Sequence, residues 1–219
     1  MSKTAFLFPG QGVQKCGMGK DFYENSSQAA NLFEKASEAL GLDMKALCFE
    51  ENARLDQTEY TQAALVTTYL AMCRELESRG VKPDITAGLS LGEYAAIAAA
   101  GAMSDLDAIR LVRKRGMLMQ NTVPAGEGAM CAILALDEKK IEEILSEIPD
   151  VTIANYNCPG QIVITGKTAE VERAAVRLKE HRPAAVWQGP VGNSIMYFII
   201  PQLHTVLNLR RSHFHRLRC

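Results

Sequence analysis

The stretch Gly88-Leu89-Ser90-Leu91-Gly92 constrains this chain more than any other. Asp84–Ala87 reads as a short strand before it, and Glu93–Ala100 as an alanine-rich helix after it. A serine between two glycines at a strand-to-helix junction is the nucleophile-elbow arrangement. The turn is so sharp that its flanking positions must be nearly free of side chain, hence glycine at both ends. It sets the Ser90 hydroxyl at a helix N-terminus, where free backbone N–H groups and the positive dipole end can stabilise an oxyanion. On these residues alone a second reading stays open: a glycine-softened turn whose serine only caps the helix.

The rest of the composition narrows the class. With 219 residues, 47% hydrophobic and 22% charged, the chain reads as a globular enzyme of one or two domains. A formal net charge of -1 gives no basic field for nucleic acid. Met1–Pro9 enters a strand without a signal-peptide core, and no apolar run approaches the roughly 18 residues of a membrane span. A cytoplasmic location with no membrane contact is the expectation. Cys16, Cys48, Cys73, Cys131, Cys158 and Cys219 are widely spaced, with no CxxC, so reduced thiols and no metal are expected.

Thr4–Phe8 reads as a buried strand ending at Pro9, followed by a glycine-rich loop from Gly10 to Gly19. A dinucleotide fingerprint would need glycine at Lys15; a Walker loop would need glycine at Gln14 and Ser or Thr at Asp21. Neither fits, and the loop remains one that brings backbone amides close to something. Helices are predicted over 26–40 and 61–79, the latter burying Leu65, Tyr69, Met72 and Leu76 and stopping at Gly80. The elbow helix runs to Gly101, and another from Ser104 or Asp105 to about Asn121. Val123–Gly126 is the boundary. Beyond it come strand 129–136, helix 137–148, strands 151–157 and 161–165 around a Cys158-Pro159-Gly160 turn, and helix 168–180. This βαββα order is a ferredoxin-like module awaiting its last strand.

From His181 the composition shifts: five arginines, no Lys, Asp or Glu, all four histidines and the only tryptophan, Trp187. A basic interaction tail is one reading. The apolar run Ile195–Ile200 favours the other, a read-through in another frame that does not belong to the fold.

Phe8-Pro9-Gly10-Gln11-Gly12, Thr61-Gln62, Gly88–Tyr94, Arg115–Gln120 and Asn155–Gly166 together resemble the malonyl-CoA:acyl-carrier-protein transacylases of fatty-acid synthesis, over about residues 3–180. The resemblance implies an α/β fold: an incomplete α/β-hydrolase-like parallel-sheet acyltransferase core over 1–124, a ferredoxin-like small domain over 125–185, and an atypical tail over 186–219. It implies an acyl-carrier-protein S-malonyltransferase working by ping-pong transfer, with no cofactor. Ser90 corresponds to the nucleophile, acylated by malonyl-CoA and deacylated by the phosphopantetheine thiol of acyl carrier protein. The backbone N–H groups of Gln11 and Leu91 correspond to the oxyanion hole. Arg115 corresponds to the partner of the malonyl carboxylate, and Gln62 to a residue lining the same pocket.

A helix count bears on Arg115 independently. The elbow helix climbs about 11 residues, roughly 16 Å, and the next descends about as far before Arg115, so an antiparallel pair returns it to the level of Ser90. The guanidinium fork suits a carboxylate. The alternative is one more solvated charge in the run Arg113-Lys114-Arg115.

Two departures stand out. Leu89 occupies a position where the commoner elbow has histidine. The family's general base lies in a Gly-Pro-Phe-His-Ser-like segment, whereas Gly189-Pro190-Val191-Gly192-Asn193 here has none, and His204 and His215 follow without the motif. No residue is assigned as base, and the family's closing third is missing, so impaired transferase activity is expected. A serine esterase or thioesterase, and a non-catalytic fragment that binds acyl-CoA or carrier protein, are the alternatives.

Overall fold

Two short parallel strands, β1 (Ala5–Phe8) and β2 (Ile85–Gly88), organise the first half of the chain, with Ala5 opposite Ile85 and Phe8 opposite Gly88. The computed structural model describes residues 3–123 and 126–181, and the backbone of 187–189. Residues 190–219, with His204, His213, His215 and the run Ile195–Ile200, lie outside the described residues.

Parallel strands cannot be joined by a tight turn. Here the crossover is helical: α1 (Lys20–Asn25), α2 (Ser27–Leu40), α3 (Met44–Phe49) and α4 (Thr58–Ser78). Ser26 Oγ caps α2 by accepting from Ala29 N–H at 3.1 Å, and Gly41, at φ 62°, ends it. Asp43 Oδ1 caps α3 through the amides of Lys45 and Ala46. The six-residue helices α1 and α3 fall in stretches where the sequence predicted no element. They are too short for a periodicity signal, and the aromatic cluster of Tyr23, Phe33 and Phe49, with centroids 5.2–5.8 Å apart, brings them together.

Helix α4 begins three residues before the predicted start, and its buried face differs from the predicted one. Leu65 is buried, Tyr69 and Met72 are half-buried, and Leu76 is exposed. The reason is that α4 runs through the middle of the helical layer: Thr61 through Thr68 are buried on all sides, and small residues such as Ala63, Ala64 and Ala71 take the contacts.

After β2 come α5 (Gly92–Ala99) and α6 (Asp105–Thr122), separated at Gly101, whose φ of 77° stops α5. Arg74 of α4 clasps this junction. Its guanidinium donates to both carboxylate oxygens of Asp105 (2.6 and 2.9 Å), to Ala98 O (3.1 Å) and to Glu77.

The chain divides into two compact units between Gln120 and Asn121. The second holds β3 (Gly128–Leu134), α7 (Glu138–Ser146), β4 (Val151–Cys158), β5 (Gln161–Lys167), α8 (Thr168–Glu180) and β6 (Trp187–Gly189). Its antiparallel sheet has the order β4-β5-β3-β6. Ile133, Ile164, Ile141, Val171 and Leu178 form the core between sheet and helices. The final strand β6 pairs with β3, Met130 opposite Gly189, and lies within the stretch predicted to be a tail. Among the described residues no helix is long and apolar enough to cross a membrane.

Candidate functional site

Ser90 adopts φ 55°, the left-handed region that a residue with a Cβ occupies only under constraint. Geometry supplies the constraint. Phe8 O accepts the Leu89 N–H at 3.0 Å, so the chain leaves β2 still tied to β1 and must reverse into α5 at once. A Cβ on Gly88 would lie 2.1 Å from the Gly92 carbonyl, and one on Gly92 would lie 2.1 Å from Phe8 O. Glycine at both ends is therefore a requirement of space.

The capping alternative does not hold. No side chain caps α5, and Ser90 Oγ instead accepts a hydrogen bond from Arg115 Nη2 at 2.9 Å. Behind it the turn closes on backbone bonds, Gly92 N–H to Leu89 O and Glu93 N–H to Ser90 O. The loop after β1 runs against this turn, since a Cβ on Gly10 would lie 3.3 Å from Leu89 O. Gln11 follows, anchored by its side-chain amide donating to Thr58 Oγ1 at 3.1 Å. Among the described residues, neither the Gln11 nor the Leu91 backbone N–H is engaged in a hydrogen bond. Leu91 directly follows Ser90, and Gln11 follows Gly10, which packs against Leu89.

Arg115 is not a solvated charge. Its Nη1 donates to Gln62 Oε1 at 2.7 Å while Nη2 reaches Ser90, and burial pulls its pKa below the ordinary arginine value against the opposing field of Tyr94 and Glu93. Gln62 is fully buried, and its Nε2 donates to Met119 Sδ at 3.0 Å. The neighbouring Thr61 fixes the first turns of α4 by donating to Leu55 O at 2.6 Å.

Helix α6 reaches this position because Gly116 lets it touch α4: a Cβ there would lie 2.8 Å from Thr58 O and Glu59 Cα. Arg113 reinforces the contact, bonding Glu59 O at 2.7 Å and Oε2 at 2.9 Å and stacking 4.5 Å from the Tyr60 ring centroid. The structure thus brings Ser90, Arg115 and Gln62 together. Sequence reasoning quoted Gly116 and Met119 within Arg115–Gln120 and Arg113 in its charged run, but gave none of the three a role; Met119 lies one helical turn beyond Arg115. His181, the sole histidine among the described residues, ends α8 in the second unit, so Ser90 has no described base in its own unit.

A serine on a strained strand-to-helix turn, with unengaged amides near it and a half-buried cation on its hydroxyl, is equipped for acyl chemistry on an anionic acyl group. The acyl transferase domain family model matches residues 5–193, and the chain belongs to that family. It is 48% identical over 186 residues to the malonyl CoA-acyl carrier protein transacylase of Bacillus subtilis (strain 168), covering 83% of this chain. The chain spans 59% of that relative's length. Among solved structures it resembles the malonyl CoA-acyl carrier protein transacylase of Clostridium perfringens ATCC 13124 at TM-score 0.84 and 40% identity, covering 95% of this chain and 68% of that one. A second, at TM-score 0.84 and 37% identity over 94% and 70% of the chains, is a malonyl-transacylase in complex with its type II PKS acyl-carrier protein.

Proposed function

We propose that this chain carries the acyl-enzyme half of a malonyl-CoA:acyl-carrier-protein transacylase. The observation that carries the reading is Arg115, seated 2.9 Å from Ser90 Oγ and braced by buried Gln62. Ser90 Oγ attacks the malonyl thioester carbonyl, the N–H groups of Leu91 and Gln11 receive the oxyanion, and the C–S bond breaks, the serine proton leaving with coenzyme A as its free thiol. Arg115 pairs with the free carboxylate, so an acetyl group leaves a half-buried cation without its anionic partner and is rejected. The phosphopantetheine thiol of acyl carrier protein then attacks the ester and frees Ser90. No base is assigned among the described residues, and the reaction as written calls for no cofactor or metal.

The finer fold reading goes with this. The parallel pair β1–β2 with its elbow supports an α/β-hydrolase-like core over 1–124. The βαββαβ order with sheet order β4-β5-β3-β6 supports a ferredoxin-like small domain that runs past the expected bound of 125–185, since its last strand, β6, ends at Gly189. A cytoplasmic location is proposed with it.

Intact-mass spectrometry tests the function. Malonyl-CoA should leave a malonyl adduct on Ser90 that moves to phosphopantetheinylated carrier protein on its addition. Repeated release of free malonate without transfer would make the chain a thioesterase; carrier-protein binding without an adduct would make it a binding fragment. Arg115→Ala should cut the preference for malonyl over acetyl loading about a hundredfold, the equivalent of one or two charge-assisted hydrogen bonds. Unchanged selectivity would remove the assigned role.

A further inference from the structure

Gln62 is buried and engaged at both ends of its amide. Oε1 accepts from Arg115 Nη1 at 2.7 Å, and Nε2 donates to Met119 Sδ at 3.0 Å. A guanidinium offers only donors, so the amide oxygen must face it. That turns the NH2 group toward Met119, whose thioether is a weak acceptor. A flipped amide would set donor against donor at Arg115 and lone pair against lone pair at the sulfur.

Arg115 has two anchors here, Ser90 and Gln62. Ser90 Oγ is the reacting atom in the functional reading above, on which this inference rests. Once acylated it is an ester oxygen, a poorer acceptor, and Gln62 is left to hold the guanidinium. We propose that Met119 is a positioning residue for acyl selectivity: its sulfur locks the Gln62 amide, and the locked amide holds Arg115 in one plane throughout the cycle. Met119 and Arg115 sit one turn apart on α6, so the helix that carries the cation also carries the lock.

Met119→Leu tests this, because it keeps nearly the same volume and removes the acceptor. Malonate binding is measured by titration calorimetry, with uncharged malonamide as control, in the wild type, Met119→Leu, Gln62→Ala and the double variant. The wild type should prefer malonate. Met119→Leu should weaken malonate about tenfold, because an unlocked amide no longer holds Arg115 in the plane that meets the carboxylate, and leave malonamide unchanged. In the Gln62→Ala background the same change should do nothing further, and selenomethionine-substituted protein should bind as wild type. A Met119→Leu chain that binds malonate like the wild type, or the same loss without Gln62, overturns the inference alone. A wild type that binds malonamide as well as malonate overturns the functional reading and the inference with it.

Discussion

Replacing Ser90 once by glycine and once by alanine separates the backbone cost of the elbow from the loss of the hydroxyl. Both variants delete Oγ and both strip Arg115 of that acceptor, so these losses cancel in the comparison. What differs is the Cβ. At φ 55° an alanine keeps the left-handed steric penalty, about 1–2 kcal/mol, while glycine is free of it. Glycine gives back roughly 0.4–1 kcal/mol through the greater freedom of its unfolded chain. Ser90→Gly should therefore be the more stable of the two by about 1 kcal/mol. Urea unfolding followed by far-ultraviolet circular dichroism reads this, since α1–α6 supply most of the helix. With a slope of about 2 kcal/mol per molar, the midpoints should separate by about 0.5 M. A Ser90→Ala chain more stable than Ser90→Gly by the whole unfolded-chain difference, roughly 0.4–1 kcal/mol, would mean that the positive φ costs nothing. The elbow would then not be a constrained display of its serine.

Gly92→Ala drives a Cβ to 2.1 Å from Phe8 O, a backbone atom that cannot move aside, so α5 must part from β1. The expected loss is about 3 kcal/mol, visible as a thermal midpoint lower by about 10 °C; a shift of only a degree or two would refute the packing argument. Arg74→Met keeps the aliphatic stem and removes the fork from Asp105, Glu77 and Ala98 O. It should cost about 2 kcal/mol, with a coupling of about 1 kcal/mol to Asp105→Asn in a double-mutant cycle. Strict additivity would show that the clasp does not bind the helices. Burial pushes the thiols of Cys48 and Cys73 and the phenol of Tyr69 up to about 12. The native state keeps these protons while the unfolded chain sheds its thiol protons from about pH 9. Stability should therefore be unaffected by these groups below that pH and fall as pH rises toward 12, by up to about 1.4 kcal/mol per pH unit for each group. Equal urea midpoints at pH 8 and 10.5 would contradict it.

What the sequence could show followed from how local each cause is. The elbow was legible because its demands are met within five residues: glycine where neighbours collide, serine between them. Arg115 was legible as a count of helical rises, because a helix pair of matched lengths returns to its starting level. Whether it was buried was not, since burial depends on α6 meeting the first turn of α4, a contact between residues 53–57 apart in sequence. Gly116, Arg113 and Met119 were given no role for the same reason: each acts across that gap. The misjudged face of α4 has another cause. A helix buried all round in its first half has no single apolar stripe to find, and Leu76 matched the spacing without being covered. The short helix α3 did carry a readable signal in Asp43, a residue suited to cap it, standing before Met44-Lys45-Ala46-Leu47.

One carbonyl joins fold to chemistry in this unit. Phe8 O ends β1, accepts the Leu89 N–H at 3.0 Å, and occupies the space a Cβ on Gly92 would need. The elbow is thus built on the neighbouring strand as well as its own. The register that sets Phe8 opposite Gly88 also leads the chain on to set Gly10 against Leu89. A slip of two residues would keep every side chain on its face of the sheet, yet it would move this carbonyl by roughly 7 Å along the strand. Side-chain burial alone would not resist such a slip. The two glycines do, because only in the observed register does the space they leave empty fit the strand that fills it.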